Sequence, residues 1–255
     1  MIRFFRLGRN TIMMTLCLQL KLMKSEKTIG WLLLIGVIGV MIPYIMLTIN
    51  FEYPDILRKE TGVILSSFNG GGTKLIWTWF AFALGGITLI PAYILIGQKV
   101  ENKSMLTRVA TNFGVIGLVV QMIGLLRWTF VVPVLASSFA QSTDDAMKAS
   151  AVMSFKTIHQ FGGVLLGEHL GQLFTITWTV LISIVFDKVK FVPKWVTWLA
   201  YFTSAIYLLS QAELLSTVVP GFPVWDLAGF LGSTLWLVWL VVIAIRFLSL
   251  KNDAV

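Results

Sequence analysis

The chain has 255 residues, 57% of them hydrophobic and 13% charged, with a mean hydropathy of +0.84 and a formal net charge of +8. A soluble domain is about half apolar and a quarter charged, so this composition excludes the ordinary soluble classes and points to the lipid bilayer as the main partner. Its basic residues stand in short clusters between apolar runs and match no nucleic-acid module, and the single cysteine, Cys17, excludes an internal disulfide.

In chain order, residues 1–22 come first. They contain scattered arginines, no acid and a short apolar patch (residues 11–20) ahead of further lysines. This segment reads as an amphipathic anchor, or as a stretch preceding a true start at Met23, in which case it is dispensable. No small-residue cleavage site follows it. A helix needs about 20 apolar residues to cross the hydrocarbon. Six stretches qualify: 31–49, 75–97, 109–132, 165–186, 195–215 and 227–247. They lack the polar–apolar alternation of barrel strands. The expected fold is therefore all-α, a single integral membrane domain over residues 1–255 with six transmembrane helices.

The connections set the orientation. Fourteen of the twenty basic residues fall before the first span and in the second, fourth and last connecting segments; five fall on the other side and Arg127 lies within a span. Basic residues are held on the cytoplasmic side, so both termini are expected there. In the first outer segment, residues 54–68 read as a short helix lying on the outer surface, ended by Asn69-Gly70-Gly71-Gly72. In the next, Ser142-Thr143-Asp144-Asp145 reads as a capping box with Ser142 as N-cap. A helix from Thr143 to Phe186 would run about 65 Å, so it must protrude, tilt or break, with Gly162-Gly163 the expected break.

Ionisable residues inside spans cost about 2.5–3.5 kcal/mol each and need partners or water. With the orientation above, Arg127, His159, Glu168, His169, Glu213 and Asp226 converge at the outer-leaflet end, joined by Gln211. Glu168, Gln172, Thr175, Thr179 and Ser183 fall within about 80° of arc on an α-helix, forming a polar stripe. Gly163, Gly167 and Gly171 form an adjoining small-residue row that admits a close helix. Each has a plainer reading: glycine packing, interhelical hydrogen bonds, an ion pair of Arg127 with Glu168 that fixes register, and Asp226 as a cap of the last helix. Glu168 is expected near Arg127, at salt-bridge distance or one water away, with His169 turned toward Glu213 or the interface.

Phosphate-binding loops and hydrolase elbows are absent, since Gly70-Gly71-Gly72 lacks the lysine that a P-loop carries directly after its last glycine, and no Gly-x-Ser-x-Gly occurs. His159, Glu168 and His169 do not have the spacing of a zinc helix, so no metal and no cofactor is expected.

The combination LRWTFVVPVLA, ending at Ala136, and IHQFGGVLLGEHLGQLFTITWT at 158–179 resembles a family of bacterial multi-pass membrane proteins, the domain of unknown function 4386 group. The elements Arg127-Trp128…Pro133 and Gly167-Glu168-His169-Leu170-Gly171 carry the resemblance. It implies a bacterial cytoplasmic-membrane location and no particular activity. The functional reading is a small membrane protein whose outer polar pocket binds, senses or transports a small solute. The alternatives are an intramembrane enzyme using Glu168 or His169 as acid or base, and a structural partner subunit.

Overall fold

The computed structural model describes residues 2–100 and 104–250, with side chains from Glu26 onward, so the expectation about residues 1–22 concerns side chains outside that set. Among the described residues every regular element is helical. Helix α1 (Ile2–Phe51) leads through a 3₁₀ turn (Asp55–Arg58) into α2 (Thr61–Gly85) and α3 (Leu89–Val100). Then come α4 (Leu106–Phe130), α5 (Val132–Gln141) and α6 (Asp145–Ile158). A π-helical segment (His159–Leu170) joins α6 to α7 (Gly171–Lys188), followed by α8 (Lys194–Leu209), α9 (Gln211–Ser216) and α10 (Ala228–Leu248).

Five helical runs are long and apolar enough to cross a membrane: Glu26–Phe51, Thr61–Val100, Leu106–Gln141, Asp145–Lys188 and Ala228–Leu248. Their surfaces support that reading. Ile35, Ile38, Ile42, Ile45 and Ile49 of α1 are all exposed, an apolar stripe that water would not tolerate. The interior instead buries threonines, serines and Arg127.

Several boundaries differ from expectation. The expected fifth span, 195–215, is not one unbroken helix: it stops at Leu209 and resumes at Gln211. The Ser210 hydroxyl lies 2.7 Å from the Tyr207 carbonyl, competing locally with the helical ladder. The second span breaks before Leu89, because Pro91 cannot donate to the turn preceding it. Thr88 uses the break to donate across to the Leu32 carbonyl at 2.9 Å.

The outer segments are corrected too. Residues 54–68 form a 3₁₀ turn and the start of α2 and turn one face inward: Ile56, Ile64, Leu65 and Phe68 are buried with Trp79 and Trp128, while Asp55, Arg58, Lys59, Glu60 and Ser66 stay exposed. The glycine run does end the first helix there: Gly72, with φ of 55° and ψ of -153°, is non-helical and parts α2 into two helices at a kink. The cap of α6 is Asp144, whose carboxylate accepts from the Ala146 N–H at 2.9 Å, while Ser142 makes a local turn with Asp144. The Asp144 carboxylate, accepting from the N–H two residues on, takes the capping role expected of Ser142. No break occurs at Gly162-Gly163; the chain passes that point as π-helix.

Two stacked cores result. One gathers Leu33, Tyr93, Trp178, Ile182, Trp239 and Phe247 from α1, α3, α7 and α10. The other gathers Phe51, Phe68, Trp79, Trp128 and Phe155 from α1, α2, α4 and α6, and includes a Trp79–Trp128 stack at 4.6 Å. Arg127, adjacent to Trp128, opens off the second core.

Helices α1 and α2 touch backbone to backbone. A Cβ on Gly85 would sit 2.0 Å from the Gly39 carbonyl oxygen, whereas one on Gly70 meets nothing within 4 Å. Gly85→Ala is therefore expected to cost about 1–3 kcal/mol and Gly70→Ala nothing, as read by thermal unfolding in detergent.

Candidate functional site

The stretch that holds both histidines, His159 to Leu170, is the π-helical segment itself. This changes which residues share a face. On an α-helix, His159 and Glu168 would stand about 180° apart. With the wider π turn, about 4.4 residues per turn, they come within about 20° of each other and Gly163 joins the same face. That face meets Arg127. The Arg127 Nη2 lies 3.3 Å from His159 Nδ1, and a Cβ on Gly163 would fall 2.4 Å from the same Nη2.

Arg127 sits in the last turn of α4 and is only 6% exposed. A cation there complements the negative end of the helix. Its Nη1 donates to the Gly124 carbonyl of its own helix, and its guanidinium carbon lies 5.4 Å from the Trp128 ring centre. His159 is held by a stack on Phe155 at 5.4 Å. The Arg127 Nε has no partner among the described residues.

Of the two expected arrangements of Arg127 and Glu168, salt-bridge contact or a one-water gap, the direct contact does not occur. Glu168 is within electrostatic reach of Arg127 and Glu213, yet no carboxylate lies within 4.0 Å of the guanidinium among the described residues. Instead the guanidinium bonds the Gly124 carbonyl through Nη1 and lies beside His159 through Nη2, and Gly163 lets it lie directly on the π backbone. Tyr53, from the segment after α1, and Tyr207, from α8, also lie within electrostatic reach of Glu168. Burial pushes the Tyr53 hydroxyl well above its ordinary pKa, and the Glu168 charge adds to the effect.

The glycine row packs as its spacing predicts. Gly163 faces Arg127, Gly167 faces Gly124, and Gly171 faces Gln121, so three small residues lie along one edge of α4. Gln121 then donates to the Gly171 carbonyl at 3.0 Å and to the Thr175 hydroxyl at 2.8 Å.

A second polar group lies beside the first. His169 Nδ1 is 2.7 Å from Gln211 Oε1, Gln211 Nε2 donates to Gln172 Oε1 at 2.6 Å, and the Ser210 hydroxyl lies 3.0 Å from the same oxygen. His169 thus turns to Gln211 rather than to Glu213. Lower in the stripe, Trp236 Nε1 donates to Thr179 at 3.1 Å. The polar stripe on α7 is in large part an interhelical hydrogen-bond seam.

Of the eight residues expected in one cluster, the structure brings six into two neighbouring groups: Arg127, His159 and Glu168, and then His169, Gln172 and Gln211. Glu213 turns outward and bonds Arg58 at 2.7 Å, while Asp226 is exposed and makes no cap for α10. Burial, the largest single influence, works against the Arg58 charge, but the Glu213 hydrogen bond and the charges of Glu213, Asp55 and Asp226 together outweigh it and raise its pKa. Tyr53, Tyr207, Gln121 and Arg58 were not expected. Tyr207 lies one helical turn before Gln211, a spacing visible in the sequence. Tyr53 and Arg58 come from a connection whose folding inward no local pattern signals. No group of three His, Cys, Asp or Glu that could hold a metal ion occurs among the described residues.

A family model described as Domain of unknown function (DUF4386) matches residues 28–244. No curated protein and no solved structure matches the chain.

The guanidinium's seat on the π segment gives a paired test. A Cβ on Gly163 collides with Arg127, whereas one on Gly162 has no neighbour closer than 3.6 Å. Gly163→Ala should lower the melting temperature by the equivalent of about 1–3 kcal/mol, and Gly162→Ala should leave it near the parent value.

Proposed function

The chain belongs to the DUF4386 family, and from that premise we propose a six-crossing membrane protein, with both termini in the cytoplasm, whose outer-facing Arg127–Glu168 centre binds a small polar solute in order to sense it or move it. Five apolar helical runs supply five crossings. The broken pair α8–α9, residues 194–216, is the sixth, since its length of about 34 Å suffices for the hydrocarbon. The one-sided distribution of basic residues supports the orientation.

One observation carries the binding reading. Two opposite charges lie within reach of each other inside an apolar bundle, yet they are not bonded to each other. The buried Arg127 Nε donor is unused, and the half-buried Glu168 is in no salt bridge among the described residues. A pair serving only to hold helices together would close, because an uncompensated buried charge is costly. A solute with an acceptor for Arg127 and a donor for Glu168, such as an amino or hydroxy carboxylate, would complete both. The neighbouring His169–Gln211–Gln172 group favours a structural role for itself, being already mutually bonded.

Reporter fusions after Lys59 and after Ser142 should read as external, and fusions after Lys103 and at the C-terminus as internal. An external C-terminus would overturn the orientation. For binding, the purified protein is heated in the presence of a panel of single amino acids and 2-hydroxy carboxylates. At least one should raise the melting temperature by about 2–4 °C at saturating concentration, and the same compound should leave Glu168→Gln unmoved. A panel that shifts nothing, or that shifts both proteins equally, contradicts the reading.

A further inference from the structure

At the other end of the bundle, where α7 and α10 finish and α8 begins, lies an open cavity of about 760 Å³. It is lined by Asp187, Lys190, Phe191, Val192, Pro193, Lys194 and Arg246. That sets three cations against one carboxylate. None of the three is in an ion pair with Asp187 or with any other acid among the described residues.

A topological preference for basic loops accounts for lysines in this connection. It does not account for their arrangement around a cavity, nor for how Arg246 is held. The Arg246 Nε donates to the Phe191 carbonyl at 2.9 Å, and the guanidinium carbon lies 5.7 Å from the Phe191 ring centre. The two remaining nitrogens make no hydrogen bond among the described residues, so a planar double donor is fixed at the rim. Lys190 has φ of 50°, the left-handed region that a lysine enters only at a cost. Glycine would be the cheaper residue there.

The depth of the cavity is marked by its neighbours. Trp195 and Trp198, in the first turns of α8, are 58% and 69% exposed, as tryptophans are at the lipid headgroup level. Phe202 continues the same exposed face, offering a path for acyl chains beside the cavity.

We propose that the cavity between Lys190, Lys194 and Arg246 binds a phosphate group, and that the phosphate is the headgroup of an anionic phospholipid. Basic recesses between helices at a membrane surface recognise this chemistry, and the tryptophans hold the cavity at the level where such phosphates lie. The site is separate from the Arg127–Glu168 centre and does not depend on its reading.

The test uses the full-length protein, purified in neutral detergent. Bound lipid is followed by native mass spectrometry after addition of phosphatidylglycerol, phosphatidylcholine or inorganic phosphate. The parent protein should retain phosphatidylglycerol and prefer it to phosphatidylcholine. Lys190→Gly with Lys194→Gln should weaken that retention about tenfold or more. Because Lys190→Gly also relieves the left-handed backbone, its melting temperature should hold or rise, which separates loss of a site from loss of the fold. Lys190→Arg with Lys194→Arg should retain lipid. Inorganic phosphate that competes as well as phosphatidylglycerol would overturn the lipid source. Equal retention of both lipids, or undiminished phosphatidylglycerol on the charge-deleted variant, would overturn the site.

Discussion

A guanidinium that is always charged and almost wholly buried must be surrounded by acceptors, or it unfolds what surrounds it. Arg127 is that group, and much of the bundle is arranged about it. The carbonyl of Gly124 takes one nitrogen and His159 another. Gly163 removes the side chain that would otherwise occupy the guanidinium's seat. The π turn brings His159, Gly163 and Glu168 to the same side of one helix, which an α turn cannot do. The row Gly163, Gly167 and Gly171 then draws the C-terminal part of α4, from Gln121 to Arg127, against the π segment and the start of α7.

The aromatic core follows from the same placement. Trp128 stacks on Trp79, and Phe68 and Phe155 pack around it, so the arginine's neighbour is held by three aromatic rings. Such packing supplies rigidity beside the cation, and the indole face adds a favourable electrostatic contact. The connection after α1 folds inward to complete this core through Ile56 and Tyr53.

The helical membrane class was legible in composition and run length, because hydrocarbon thickness imposes a length that few soluble helices show. The glycine row was legible too, since its spacing is a property of the helix alone. The importance of Arg127 and Glu168 could be read from the cost of an intramembrane charge. Their separation could not. The expected approach rests on equal depth, which does not fix a contact distance, and the period of 3.6 used for the stripe and for His169 carries no warning of a π segment. The breaks at Ser210 and before Leu89 are similar: each is stabilised by a partner on another element, Gln172 for one and the Leu32 carbonyl for the other. For residues 54–68 the amphipathic pattern named a buried face without saying that Trp79 and Trp128 would bury it.

The account rests on Arg127 and Glu168 acting on one another across the site without touching. A double-mutant cycle measures this directly, comparing the unfolding free energies of the parent, Arg127→Gln, Glu168→Gln and the double variant. The account predicts a coupling of about 0.5–3 kcal/mol, the double variant being less damaged than the two single losses added together. Losses that add to within about 0.3–0.5 kcal/mol would mean that the two charges are independent, and would contradict it.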